Sequence, residues 1–241
     1  MVRFLYFLLF IALPKLVAAQ PVNPQLVTER ADLQAIFTKN NVGGAFLLYD
    51  VTANQCTAYH ADECGRGTLP ASTVKIVNTL IGLETGQLTG PETVIPWDSI
   101  TRDVPAWNKS HNLESAFMGS VVPYYQELAR RIGLKNMRAY LGKISYGKMV
   151  VTPQTLDQFW LSGPSSVSLF GQVDFLRTVL AGTVPFSAKN WAVLRQVMRT
   201  DSLADGRKFI FATKLITLAP MSQNWLAARR LITLECLKKW R

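Results

Sequence analysis

The run Leu69-Pro70-Ala71-Ser72-Thr73-Val74-Lys75-Ile76-Val77-Asn78-Thr79-Leu80 constrains the chain most. It is apolar and helix-compatible, and it ends near Gly86. Such a run needs burial, so the rest of the chain is read around it. Pro70 fits a first helical turn, where a missing N–H costs nothing. Ser72 and Lys75 are three apart and share one helix face. Free N–H groups at a helix N-terminus favour developing negative charge. Burial lowers a lysine's pKa and leaves a neutral amine that can act as a base. A serine beside such an amine is an activated nucleophile. Ser-x-x-Lys is also the pattern of an ordinary exposed helix start, so its meaning depends on the motifs around it.

At 241 residues, with 49% hydrophobic and 17% charged, the chain is long enough for a substantial core. Residues 1–19 read as a secretory signal. Arg3 supplies the positive start, Phe4 to Leu13 are almost wholly apolar, and Val17-Ala18-Ala19 offers small residues for cleavage. Lys15 interrupts the run, which is too short to span a bilayer comfortably. Residues 20–241 are expected to form one domain in the periplasm, with no stable membrane span after cleavage.

The net charge of +10 looks like a nucleic-acid signal until it is divided. From Lys214 onward six basic residues face one acid, which accounts for five charges. Arg3 and Lys15 account for two more, leaving +3 for residues 20–213. The body is only mildly basic, and nucleic acid is not an expected partner. Cys56 and Cys64 lie eight apart across an expected hairpin. In an oxidising compartment that spacing predicts one local disulfide, the alternative being two free thiols. The two histidines, His60 and His111, read as surface or packing residues, and no metal site is expected.

Along the chain, Gly43–Asp50 reads as a buried strand and Thr57–His60 as its antiparallel partner, with Asn54 and Gln55 at the turn. Leu33–Thr38 reads as a short helix or edge element. Gly119 to Gly133 starts with a serine and a turn and continues as an amphipathic helix. Thr155–Leu161, Gln172–Leu180 and Ala188–Arg199 read as further helices, the last with Ser187 as cap. Lys208–Phe211 reads as a strand. Two N-terminal strands ask for more strands at the C-terminal end, yet Met221–Arg241 reads as a basic, Leu-rich helix.

Four features stand in order: Ser72-Thr73-Val74-Lys75, Ser120-Val121-Val122, Tyr146-Gly147-Lys148 and Phe159-Trp160-Leu161. With Leu80-Ile81-Gly82-Leu83-Glu84-Thr85-Gly86 and Trp97-Asp98, this set resembles the serine β-lactamases and penicillin-recognising enzymes. It is most similar to class D, the oxacillinases, over roughly residues 40–200. The resemblance implies an α+β fold, an antiparallel sheet flanked by helices plus a helical lobe. It implies hydrolysis of β-lactam antibiotics, and hence resistance to them. Ser72 is implied as the nucleophile and Lys75 as the general base, carboxylated by carbon dioxide or bicarbonate, with no other cofactor. Ser120 is implied as proton relay to the leaving nitrogen, with an N-cap as its plainer role. Val122 and Trp160 are implied around the carbamate, and Trp107, Tyr146 and Leu161 as substrate-binding residues. The Ser72 N–H is implied as half of an oxyanion hole.

Two departures stand out. Lys148 occupies the place of a usual Asn, and no Lys-Thr-Gly occurs anywhere. In the class, that Lys engages the substrate carboxylate and its strand completes the oxyanion hole. Residues 206–241 therefore form an atypical tail. Ser222-Gln223-Asn224-Trp225-Leu226 can be encoded as AGC CAA AAC TGG CTG, which read one base later gives Ala-Lys-Thr-Gly-Trp. A frameshifted or truncated end is the expectation, and the nucleotide sequence decides it. Other functions that share these motifs are a β-lactam-binding sensor that deacylates slowly, a peptidoglycan DD-peptidase, and an inactive remnant.

Overall fold

The computed structural model describes residues 27–41, 43–50 and 53–198, with short strands at 201–202 and 208–209. The signal-like residues 1–19 and almost all of the tail 206–241 lie outside the described residues. The expected hairpin forms. Strand β2 (Phe46–Asp50) pairs antiparallel with β3 (Gln55–Tyr59), Phe46 opposite Tyr59 and Asp50 opposite Gln55. Asn54 turns the corner with φ 52°, a left-handed conformation that Asn tolerates. A third strand, β1 (Val27–Glu29), lies parallel to β3, so the sheet is mixed rather than antiparallel throughout. With a burial pattern that is mostly exposed, β1 carries no apolar alternation for sequence reading to find.

The Ser72 run becomes a 3-10 turn (Ala71–Thr73) leading into helix α3 (Val74–Glu84). Val74, Val77, Leu80 and Ile81 are fully buried there. Burying each such side chain stabilises by about 1.5–3 kcal/mol, so α3 is the axis of the main core. Around it pack α5 (Val122–Leu141) and α7 (Ala188–Val197). Glu84, at the end of α3, accepts from the Ser187 N–H (3.1 Å) and Asn190 Nδ2 (2.6 Å), which pins the start of α7. Ser187 takes the N-cap position without a side-chain bond. Gly133, with φ 77°, breaks α5 where the sequence placed a helix end.

Helix α6 (Leu169–Leu180) joins two cores. Leu169 and Phe170 pack with Ala45, Ala58 and Cys64 beside the sheet, Cys64 coming from α2 (Ala61–Gly65). Phe175 and Val179 pack into the α3 core. The remaining N-terminal helix, α1 (Gln34–Lys39), covers the expected Leu33–Thr38 element. Residues 155–161 are not a helix. Their N–H groups close successive turns, Gln158 to Thr155 (2.9 Å) and Leu161 to Gln158 (2.8 Å).

A short pair, β4 (Val94–Ile95) and β5 (His111–Asn112), closes the loop that carries Trp107. Helix α4 (Leu113–Met118) follows, capped by the Asn112 side chain accepting from the Ser115 N–H (2.9 Å). The C-terminal strands β6 (Asp201–Ser202) and β7 (Lys208–Phe209) pair with each other.

Candidate active site

Two strained backbone corners face each other. Ala71 has φ 48° immediately before Ser72, and Ser120 has φ 50° between α4 and α5. A residue with a Cβ in this region costs of order 1–3 kcal/mol, which the surrounding structure must supply. At Ala71 the backbone N–H donates to the Trp160 carbonyl (2.9 Å). At Ser120 the following Val121 is buried and its N–H donates to the Ala116 carbonyl (3.0 Å). The α5 N-cap is Val121, with no side-chain cap, so Ser120 is not serving as an N-cap.

The result is direct contact between distant segments. Ser72 Oγ lies 2.7 Å from Ser120 Oγ, and either hydroxyl can be the donor. Lys75, one helical turn on, is half-buried. Its Nζ donates to the Phe117 carbonyl (2.7 Å) and sits 4.9 Å from the Phe117 ring centroid. The three expected catalytic residues therefore converge at the junction of the Ser72 turn with the α4–α5 corner.

Beneath the Ser72 turn lies a buried polar network. Thr73 Oγ1 donates its single hydrogen to the Pro70 carbonyl (2.6 Å). The Tyr146 hydroxyl, 2.7 Å away, must then donate to Thr73. Gln172 Nε2 divides its two hydrogens between Thr73 Oγ1 (2.6 Å) and the Tyr146 oxygen (3.1 Å). Its own Oε1 is buried without a partner among the described residues. Burial pushes the Tyr146 hydroxyl up to about 12. Tyr146 is only 1% exposed. Its expected role as a substrate-binding residue is thus corrected: the ring is spent holding the Ser72 turn.

The other expected residues form walls. The half-buried Trp107 donates its indole N–H to the Gly119 carbonyl (3.3 Å), beside Ser120. Trp160 is buried and Leu161 is exposed at the end of the 153–161 turns. Arg130 on α5 pairs with Asp157, which ties those turns to the helix. Val122 opens α5 half-buried, while Val121 is the fully buried valine of the pair.

Gly147 explains the Tyr-Gly-Lys stretch. With φ +64°, a Cβ there would lie 2.8 Å from Val167 Cβ and would strike the Ser166 carbonyl. The close approach lets Lys148 and Ser166 exchange backbone bonds, each 2.8 Å. Lys148 contributes its backbone to that bridge and is itself exposed, so this bridge does not require the usual Asn side chain.

The expected disulfide is absent: Cys56 and Cys64 are free and buried. Cys64 Sγ is directed at the carbonyls of Phe46 (3.5 Å) and Tyr59 (3.9 Å) from α2, while Cys56 stays in β3 opposite Tyr49. Desolvation pushes the Cys64 thiol up to about 12 and Cys56 upward as well.

Sequence reading missed Thr73, Phe117, Gly119 and Gln172. Only Gln172 left a signal, as a lone amide among the apolar positions of α6. Phe117 and Gly119 act through backbone carbonyls, which no side-chain pattern reveals.

Comparisons with known proteins agree with this geometry. Residues 38–217 match the penicillin binding protein transpeptidase domain. The chain is 36% identical over 166 residues to beta-lactamase OXA-5 of Pseudomonas aeruginosa, covering 69% of this chain and 62% of that protein. It therefore spans about three fifths of that relative's length. A class D beta-lactamase from Bacillus subtilis is 30% identical with a TM-score of 0.65, over 71% of each chain. The class D beta-lactamase FUS-1 from Fusobacterium nucleatum subsp. polymorphum is 27% identical with a TM-score of 0.76, over 89% of this chain and 99% of that one. Fold and site thus define a penicillin-binding transpeptidase domain. Within that family, the chain belongs to the class D serine β-lactamases.

Proposed function

We propose that the chain hydrolyses β-lactams through a covalent intermediate on Ser72, conferring resistance outside the cytoplasm. The observation that carries this reading is the 2.7 Å contact between Ser72 Oγ and Ser120 Oγ. Ser72 Oγ attacks the lactam carbonyl carbon, and the carbonyl π electrons move to oxygen. On collapse the C–N bond breaks, and Ser120 is placed to pass a proton to the departing nitrogen. Water then releases the ring-opened acid and restores the Ser72 hydroxyl. The Ser72 N–H at the start of α3 favours the developing oxyanion.

Lys75 acts as the base that takes the Ser72 proton. A carbamate on its amine, formed from carbon dioxide, supplies a carboxylate-like acceptor there. Lys75 is half-buried beside the buried Val74, Ile76 and Val77, one helical turn from Ser72. Val122 and Trp160 are the residues we place around it, and Trp107 and Leu161 line the substrate side. Purified protein mixed with a chromogenic cephalosporin tests this. Turnover that rises with bicarbonate and is lost in Lys75→Ala supports it, as does a carbamate resonance from ¹³C-bicarbonate. A burst of acylation with no turnover favours the sensor, and release of D-Ala from a cell-wall peptide favours the peptidase.

A further inference from the structure

Between Trp97, Trp107 and the first turns of α5 lies a cavity of about 210 Å³ whose lining does not include Ser72, Lys75 or Ser120. Its aromatic wall is Trp97, Trp107 and Tyr124, and its cations are Lys109, Arg130 and Arg131. Asp98 and Glu127 also reach it, but both carboxylates are committed. Asp98 accepts from Arg102 and lies well below the usual carboxylate range through that bond. Glu127 bridges Arg130 (3.0 Å) and Arg131 (2.9 Å), and Arg130 also pairs with Asp157, so the two guanidiniums are matched by two carboxylates. Lys109 forms no ion pair among the described residues. The walls thus combine aromatic faces with one uncompensated cation, the Lys109 ammonium.

That combination selects a ligand. Drug-sized sites run to roughly 300–1,000 Å³, so this cavity suits a single-ring molecule. Tryptophan faces accept a flat ring, and the Lys109 ammonium attracts a carboxylate. We propose that the cavity is an accessory binding site for single-ring aromatic carboxylates. A ring seated there touches Trp107, whose indole N–H donates to the Gly119 carbonyl, and Val121, so it lies beside the Ser120 corner.

The full chain is titrated with benzoate, followed by calorimetry and tryptophan fluorescence, with benzamide as the uncharged control. Saturable benzoate binding is expected to persist after Ser72 is blocked by a penicillin. Benzamide, Lys109→Glu and Trp97→Ala are each expected to bind at least about tenfold more weakly, as the loss of a charge-assisted bond or a stacking face predicts. Lys109→Glu alters an exposed side chain and keeps the fold, so its result stands even if Trp97→Ala fails to fold. Because binding is read directly, the outcome is independent of whether the chain turns over β-lactams. Absence of saturable binding, equal affinity for benzamide, unchanged affinity in Lys109→Glu, or competition with the Ser72 adduct each overturns the proposal.

Discussion

Ser72 and Ser120, 48 residues apart in sequence, share a hydrogen bond of 2.7 Å between their side-chain oxygens. The contact exists because two non-glycine residues, Ala71 and Ser120, hold left-handed backbone corners. Ser120→Ala removes the hydroxyl and leaves the corner. It is expected to lower the acylation rate by about 10²–10⁴-fold, the usual worth of a positioned proton-transfer group. Stopped-flow acylation measures this, and circular dichroism confirms that the fold is kept. An unchanged rate removes Ser120 from the mechanism.

Tyr146 and Gln172 support the Ser72 turn through Thr73. In Tyr146→Phe, Thr73 loses one donor and Gln172 loses one acceptor, both in buried surroundings. A destabilisation of about 1–3 kcal/mol is expected from urea unfolding, because buried partners are left unmade. A variant as stable as the parent shows that the network carries no weight.

Gly147→Ala is expected to cost more. It combines φ +64° with a Cβ 2.8 Å from Val167 Cβ, and the obstacle includes backbone. The expected loss is about 2–4 kcal/mol, from left-handed strain and overpacking together. Lys148→Asn, by contrast, leaves the Ser166 bridge intact and is expected to fall within about 0.5 kcal/mol. Paired thermal and urea melts of the two variants check the contrast.

Cys56 and Cys64 are expected to resist thiol reagents in the folded chain and to react once it unfolds. Alkylation before and after denaturation, mapped by mass spectrometry, gives the answer. A denatured chain with neither thiol free shows that they are bridged.

Alkaline stability depends on the buried thiols and phenols, two of which titrate within reach of experiment. Unfolded, Cys64 titrates near 9.0 and Tyr146 near 10.0, and both are pushed up to about 12 in the fold. Between those values the unfolded chain has released protons that the fold still holds. Their contribution is complete below pH 9 and is lost as pH rises to about 12. The urea midpoint is expected to fall across that window, less steeply in Tyr146→Phe. A midpoint that stays flat contradicts the burial of both groups.

Local patterns read well. The Phe46–Tyr59 hairpin, α3, the serine-led start of α5 and the cores of α6 and α7 follow from periodicity and punctuation. That Ser72, Lys75 and Ser120 would lie together was legible because their motifs stand in order. What stayed hidden depends on tertiary context. β1 pairs in parallel through its backbone with little apolar signal. Residues 155–161 have helix-like composition but close as turns, tied to α5 by Arg130–Asp157. Tyr146 reads as an aromatic for a ligand until Gln172, 26 residues on, claims its hydroxyl. The frame of the 222–226 segment is a matter of codons. A genomic sequence that encodes Ala-Lys-Thr-Gly-Trp in the shifted frame bears out the frameshift, and other codons exclude it.

The most direct test is intact-mass spectrometry of the purified chain after exposure to benzylpenicillin, with peptide mapping. The account predicts one penicilloyl adduct on Ser72, absent in Ser72→Ala and slowed in Ser120→Ala and Lys75→Ala. No adduct, or an adduct on any other residue, contradicts it.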